Sequence, residues 1–147
     1  MISRILVSIF CLVLLSGCAT YQSPSSLESP ATINFEKDKD HPLLGWDATF
    51  LVTINGQKPS FFRFSDKIQL RPGENTLVVG GFGDDLNVVS YVELTFNVIP
   101  NETYQVNRTV DVDSMNFQLL DAEGRIIVEQ KAFKRPRTTN DEAARHL

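Results

Sequence analysis

The chain has 147 residues with 14 Lys/Arg against 18 Asp/Glu, a formal net charge of −4, two cysteines and two histidines. That length holds one domain rather than two. Residues 18–130 carry 8 Lys/Arg against 16 Asp/Glu, which excludes the clustered basic surface that a nucleic-acid or anionic-lipid partner needs, whereas residues 131–147 carry 5 against 2.

The first segment has the build of an export signal. Met1 to Arg4 is short and basic, and Ile5 to Leu15 is a nearly unbroken apolar run. A bilayer span needs about 20 apolar residues, so this run is too short to cross and suits a signal-peptide core. Leu15-Ser16-Gly17-Cys18 then stands where an ordinary secretory signal would show a small-x-small site. This tetrapeptide resembles the lipobox of bacterial lipoproteins. The resemblance implies cleavage before Cys18 and acyl chains carried covalently on it. Ala19 rather than Asp in the next position implies sorting to the outer membrane, facing the periplasm. One chain would hold a protein only reversibly, since each buried CH₂ contributes about 0.8 kcal/mol; two or three make attachment permanent. With Cys11 removed and Cys18 acylated, no thiol remains for a disulfide or a nucleophile, and the fold must rest on its core.

Residues 18–30 read as the acylated cysteine and a flexible linker, with four serines and two prolines after Ala19. As a coil it spans about 20 Å, and stretched about 40 Å, so the domain works close to its membrane.

From Ala31 the period becomes two. In "DATFLVTI" Ala48, Phe50, Val52 and Ile54 share one face, and Asn55-Gly56 supplies the positive-φ pair of a tight hairpin. "SFFRF" and "KIQL" lead to a turn at Pro72-Gly73. "TLVVGGF" follows, then the loop "GFGDD". In "VVSYVELTFNVI", Val92, Leu94, Phe96 and Val98 alternate with Tyr91, Glu93, Thr95 and Asn97. Pro100-Asn101 turns into "TYQVNRTV", and "MNFQLL" and "RIIVEQ" are joined at Gly124. Seven or eight short strands with a turn every 8–12 residues predict a single small antiparallel β-sandwich over residues 31–130, an all-β fold. Residues 131–147 read as a basic, polar tail in which Pro136 bars a regular helix; its stretch "KAFKRPR" either stays solvated or touches anionic envelope material. "NDEAARHL" is helix-like and too short to stand alone.

The succession "FLVTINGQKP … IQLRPGENTLVV … LTFNVIPNETYQV … LLDAEGRII" resembles small lipoproteins and PEGA-type or carboxypeptidase-regulatory-like modules with a transthyretin- or immunoglobulin-like sandwich. Ile54-Asn55-Gly56, Leu70 with Pro72-Gly73, and Pro100 with Tyr104 and Val106 occupy the family's turn and strand positions. Asn101 stands where that family has Gly, and the final Ala of PEGA is missing. Such motifs identify a scaffold and carry no catalytic residue.

Chemistry-bearing residues are few. His41 and His146 are isolated, with no nucleophile beside either, and no closely spaced ligand set suggests zinc. "GGFGDD" lacks the Lys-Ser/Thr of a phosphate loop. Asp84-Asp85 and Asp111-x-Asp113 could hold a calcium ion, which asks for six to eight oxygens, but acidic loops of this kind are more often solvated, and that is the reading taken. "NET" at Asn101 and "NRT" at Asn107 match a glycosylation pattern by chance in a bacterial chain. Trp46, Phe61 and Phe82 are assigned to the core. Phe82 becomes a partner contact, with Asp84 and Asp85, if it stands exposed at its loop tip. Arg108 shares parity with Tyr104, Val106 and Val110, so a bulge, an open edge or a snorkelling side chain is expected there.

These observations lead to a non-enzymatic, lipid-anchored envelope protein: Cys18 as the lipidation site, no cofactor beyond that covalent lipid, no metal and no nucleic acid. Its partners are the membrane, through the anchor, and other envelope proteins; no small-molecule ligand is expected. The competing readings are a periplasmic inhibitor or immunity-type lipoprotein that plugs a toxin or lytic enzyme with the "GGFGDD" loop, and a hydrolase.

Overall fold

The computed structural model describes residues 20–21, 29–35, 49–59, 67–83 and 87–141. Cys11, Cys18, His41, Trp46, the "SFFRF" stretch with Phe61, Asp84, Asp85 and His146 lie outside the described residues. Eleven strands occur among those described: β1 (Thr20–Tyr21), β2 (Ala31–Phe35), β3 (Thr49–Ile54), β4 (Lys58–Pro59), β5 (Lys67–Leu70), β6 (Gly73–Phe82), β7 (Val88–Val98), β8 (Thr103–Val110), β9 (Ser114–Leu120), β10 (Ile126–Phe133) and β11 (Arg135–Pro136). They form a five-stranded sheet in the order β10-β9-β8-β2-β5, a four-stranded sheet in the order β11-β7-β6-β3, and the small pair β1-β4. Two sheets pack face to face, so the chain is an all-β sandwich.

The core follows from the period of two. Val92, Leu94, Phe96 and Val98 of β7 turn inward, as expected, against Met115, Phe117 and Leu119 of β9 and Tyr104 and Val106 of β8. Ala31, Ile33, Ile68 and Leu70 complete the wall of the five-stranded sheet. Tyr104 meets Phe96 edge-on at 5.3 Å, and its hydroxyl accepts the Ile99 amide at 2.9 Å, which satisfies the one polar atom of a buried ring.

Turn chemistry is met where left-handed backbone is required. Asn55 and Gly56 have φ of 51° and 73°, and Ile54 and Gln57 exchange both backbone hydrogen bonds across them, a two-residue hairpin. Asn101 has φ of 61°, so it does what glycine would do, and Asn is among the residues that tolerate this. The buried Asn75 side chain donates to the Arg71 and Gly73 carbonyls at 2.8 and 2.9 Å and accepts from Asn55 Nδ2 at 3.0 Å. One amide thereby ties the β3–β4 turn to the β5–β6 turn.

Three features differ from expectation. The sandwich is not wholly antiparallel, because β2 runs parallel to β8, with Ile33 beside Tyr104. In β3 the register slips between Leu51 and Thr53, which makes Val52 the extra residue of a bulge. Side chains before it exchange faces: Leu51 packs on the core, and Phe50 points to the outer face instead of joining Ile54. Finally, the domain does not end at residue 130. β10 runs to Phe133, and β11 pairs with Val88 and Val89 of β7, so the chain crosses from one sheet to the other within the stretch expected to be a tail. Alternating charged residues satisfy a strand with one wet face as well as they satisfy solvent, and composition alone did not separate the two.

Candidate functional site

Phe82 ends β6, and its neighbours define an aromatic patch on the outer face of the four-stranded sheet. Gly80 pairs with both Phe50 and Tyr91, so three strands present side chains above it. Phe50 lies 4.8 Å from Phe82 and meets Tyr91 edge-on at 5.9 Å. A Cβ on Gly80 would fall within 2.9 Å of Tyr91 Cε1 and closer still to the Phe50 ring. A side chain there would displace the rings, which is why this strand carries glycine.

The C-terminal segment covers the patch. The Arg137 amide donates to the Asn87 carbonyl at 2.8 Å and its guanidinium sits 5.0 Å above the Phe82 ring, while Arg135 sits 5.1 Å above Tyr91. The basic stretch and the β6–β7 hairpin, distant in sequence, thus form one cluster. Phe82 is only 2 % exposed, so it is not a partner contact at a loop tip, and the exposure on which that role depended is absent. Its burial comes from the sheet's outer side, which alternation assigns to solvent. Asp84 and Asp85, its expected companions, lie outside the described residues.

Asp141 holds this cover in place. Arg135 approaches it as a fork, Nη2 to Oδ1 at 2.7 Å and Nη1 to Oδ2 at 2.9 Å. The Tyr91 hydroxyl donates to Oδ1 at 2.7 Å, and the Thr138 amide and hydroxyl donate to Oδ2 at 2.7 and 2.8 Å. The Arg135 hydrogen bonds, helped by Tyr91 and Thr138, hold the Asp141 carboxyl far below the usual carboxylate range, and burial opposes them. Burial first, then the bond to Asp141 and its charge, push the Tyr91 hydroxyl well above its ordinary value. Asp141 is therefore ionised and Tyr91 protonated across the physiological range. Neither exchanges a proton near neutrality, and what the cluster does chemically is clamp. Composition missed it, although Thr138-x-x-Asp141 is the spacing of a helix-start capping box, and a helical turn begins at Thr139.

Arg108 belongs to the other side of the same strand end. The β8–β9 register is continuous through Arg108 and Phe117, so no bulge turns it outward. Its side chain lies half-buried between the sheets and donates to the Phe82 carbonyl, with Met115 Sδ at 3.9 Å. Among the described residues, no group of three or more His, Cys, Asp or Glu side chains is placed to hold a metal ion. Asp111 accepts from Ser114 Oγ at 3.3 Å within its turn and meets Lys131 of β10 at 3.6 Å.

The second candidate surface is β10, which ends the five-stranded sheet. Ile126, Ile127 and Phe133 are exposed there, while Val128 and Ala132 lean on the core. Comparison with family models, curated proteins and solved structures gives no match to the chain.

Proposed function

We propose that the chain is a non-enzymatic, lipid-anchored protein of the bacterial envelope whose β-sandwich serves as a binding or accessory module of an envelope assembly. The observation that carries this reading is the junction Leu15-Ser16-Gly17-Cys18 directly behind a basic start and a short apolar run. The resemblance to lipoproteins with PEGA-type or carboxypeptidase-regulatory-like sandwiches accords with the β-sandwich. The exposed apolar side chains Ile126, Ile127 and Phe133 of β10 support a binding role, since exposed apolar side chains mark contact surfaces. The inhibitor reading rested on the "GGFGDD" loop, and burial of Phe82 removes one of its three proposed contacts.

The test is metabolic labelling with a palmitate analogue together with in-cell crosslinking of the full-length chain. The native protein is expected to take up label, fractionate with the outer membrane and capture a reproducible set of envelope proteins. The Cys18→Ala protein is expected to lose label, membrane and partners together. Capture of a single soluble enzyme by both forms would replace the binding-module reading with the inhibitor reading.

A further inference from the structure

The chain directly after Cys18 is tied to one end of the sandwich. Thr20 and Tyr21 of β1 pair in parallel with Lys58 and Pro59 of β4. Because β4 leaves the Asn55-Gly56 turn, the chain enters β1 from the side of that turn. Cys18 is two positions before Thr20, and so within about 7 Å of it. A second tie lies at the start of β2, where the Asn101 amide donates to the Ser29 carbonyl at 3.4 Å and the Thr32 amide to the Glu102 carbonyl at 2.9 Å. Ile54 pairs with Leu77, and Gly73 with Val98, so the Asn55-Gly56, Pro72-Gly73 and Pro100-Asn101 turns all lie at this end.

The same end carries exposed isoleucines. Ile99, one residue past β7, is 55 % exposed, and Ile126 and Ile127, which open β10, are 52 and 42 % exposed. Ile126 pairs with Leu120 and Leu120 with Gln105, near the start of β8, which places the start of β10 at the end where β7 finishes. The bulge at Ile127 explains why two consecutive isoleucines lie outside. Val128 packs on the core, so strict alternation would turn Ile126 inward as well. The extra residue instead sets Ile126 beside Leu120 on the outer side.

We propose that this end is a membrane-docking face, with Ile99, Ile126 and Ile127 entering the headgroup region of the leaflet that holds the acyl chains of Cys18. The inference rests on the reading of Cys18 as acylated and deepens it, by fixing how the domain lies on its membrane. The short tether selects lipid as the occupant, because an anchor so close to β1 keeps this end at the bilayer and turns the other end away. Charge agrees with a zwitterionic surface. Among the described residues, Lys58, Arg71 and Arg125 stand at this end against Glu74, Glu102, Asp121 and Glu123, and Arg125 is already bonded to Asp121 at 2.6 Å and Glu123 at 2.9 Å. No excess of cations draws anionic lipid, so apolar area supplies the contact, reaching roughly 5–10 Å into the headgroup boundary.

The experiment uses the acylated chain, made in a Gram-negative host and reconstituted into vesicles of phosphatidylcholine and phosphatidylethanolamine. A fluorophore is placed on the Ile126→Cys, Ile99→Cys or Val112→Cys protein. Val112 is 97 % exposed and lies past the far end of β8, a strand of 8 residues or about 26 Å. Nitroxide-bearing lipid is expected to quench the label about twofold or more at positions 126 and 99, and not at 112. Adding Ile99→Ser and Ile127→Ser to the Ile126→Cys protein is expected to abolish its quenching. Vesicle flotation and the denaturation midpoint are expected to stay unchanged, which a misfolded protein would not allow. Equal quenching at 126 and 112, or none at either in a chain that floats, would overturn the docking and leave the anchor reading standing. Protection of position 126 from aqueous iodide that grows with protein density, without lipid quenching, would give the patch to a second copy and overturn it likewise. A chain that does not float would overturn the anchor and the docking together.

Discussion

Replacing Asp141 with alanine removes the acceptor of five hydrogen bonds, two from Arg135, two from Thr138 and one from Tyr91. The Asp141 side chain is 5 % exposed, whereas that of Arg135 is 47 % exposed. Breaking a fully buried ion pair costs about 3–5 kcal/mol. The Arg135 guanidinium recovers much of its hydration through its exposed half, and Thr138 re-bonds to water, so the expected loss is smaller, about 2–3 kcal/mol. It falls first on the segment rather than on the core. Amide exchange at Arg137, whose N–H is held by Asn87 O, is expected to accelerate roughly thirtyfold or more, in step with that free energy. Exchange at Leu94, in the middle of β7, is expected to change less.

The pH dependence has a definite sign. A carboxylate whose folded pKa is depressed contributes stability that is complete above its unfolded value, near 4, and is lost as pH falls toward the folded value. The native chain is thus expected to lose its C-terminal cover below about pH 4, while the Asp141→Ala chain lacks that acid limb. Chemical denaturation across pH 2–7, beside hydrogen exchange, measures both. A loss under about 0.5 kcal/mol with unchanged Arg137 exchange would refute the claim that Asp141 is the clamp.

Two further substitutions test the packing. Gly81→Ala would place a methyl 2.7 Å from Arg108 Cδ and 2.9 Å from Phe117 Cζ on the inner face, so a destabilisation of about 1–3 kcal/mol is expected in denaturant unfolding, and a neutral result would mean that the strand end repacks freely. Asn75→Ala leaves the Arg71 and Gly73 carbonyls and the Asn55 amide without their partner, and a loss of about 1–3 kcal/mol is expected in the same assay; an unchanged midpoint would show that water replaces the amide at no cost.

What could be read in advance was whatever depends on neighbours in sequence. The alternation of β7 placed Val92, Leu94, Phe96 and Val98 in the core, and Asn55-Gly56 set its hairpin, because side-chain direction and turn sterics are local. The parallel contact of β2 with β8 depends on the order of strands across the sheet, and no local pattern encodes it. The bulge at Val52 defeated the face assignment of Phe50 for a related reason. The segment alternates acceptably in either frame, and only pairing with β6 selects one. Phe82, Tyr91 and Arg137 were separable as an aromatic loop, a strand's outer face and a tail. Their cluster exists because β11 returns along β7, a long-range event.

The clamp and β10 are mechanically linked. β10 ends at Phe133, and the chain is held two residues later by Arg135 on Asp141 and by β11 on β7. A strand anchored on one side only would fray from its free end, and ordering it again costs about 1–2 kcal/mol per residue of backbone entropy. The clamp removes that cost for the Phe133 end, and the core contacts of Val128 and Ala132 remove it for the middle. The aromatic patch is occupied by the protein's own arginines, and the contacts that cover it also fix the Phe133 end of β10. Loss of Asp141 is then expected to accelerate amide exchange at the Phe133 end of β10 more than at Val128, and equal acceleration at both would show that β10 is held by β9 alone.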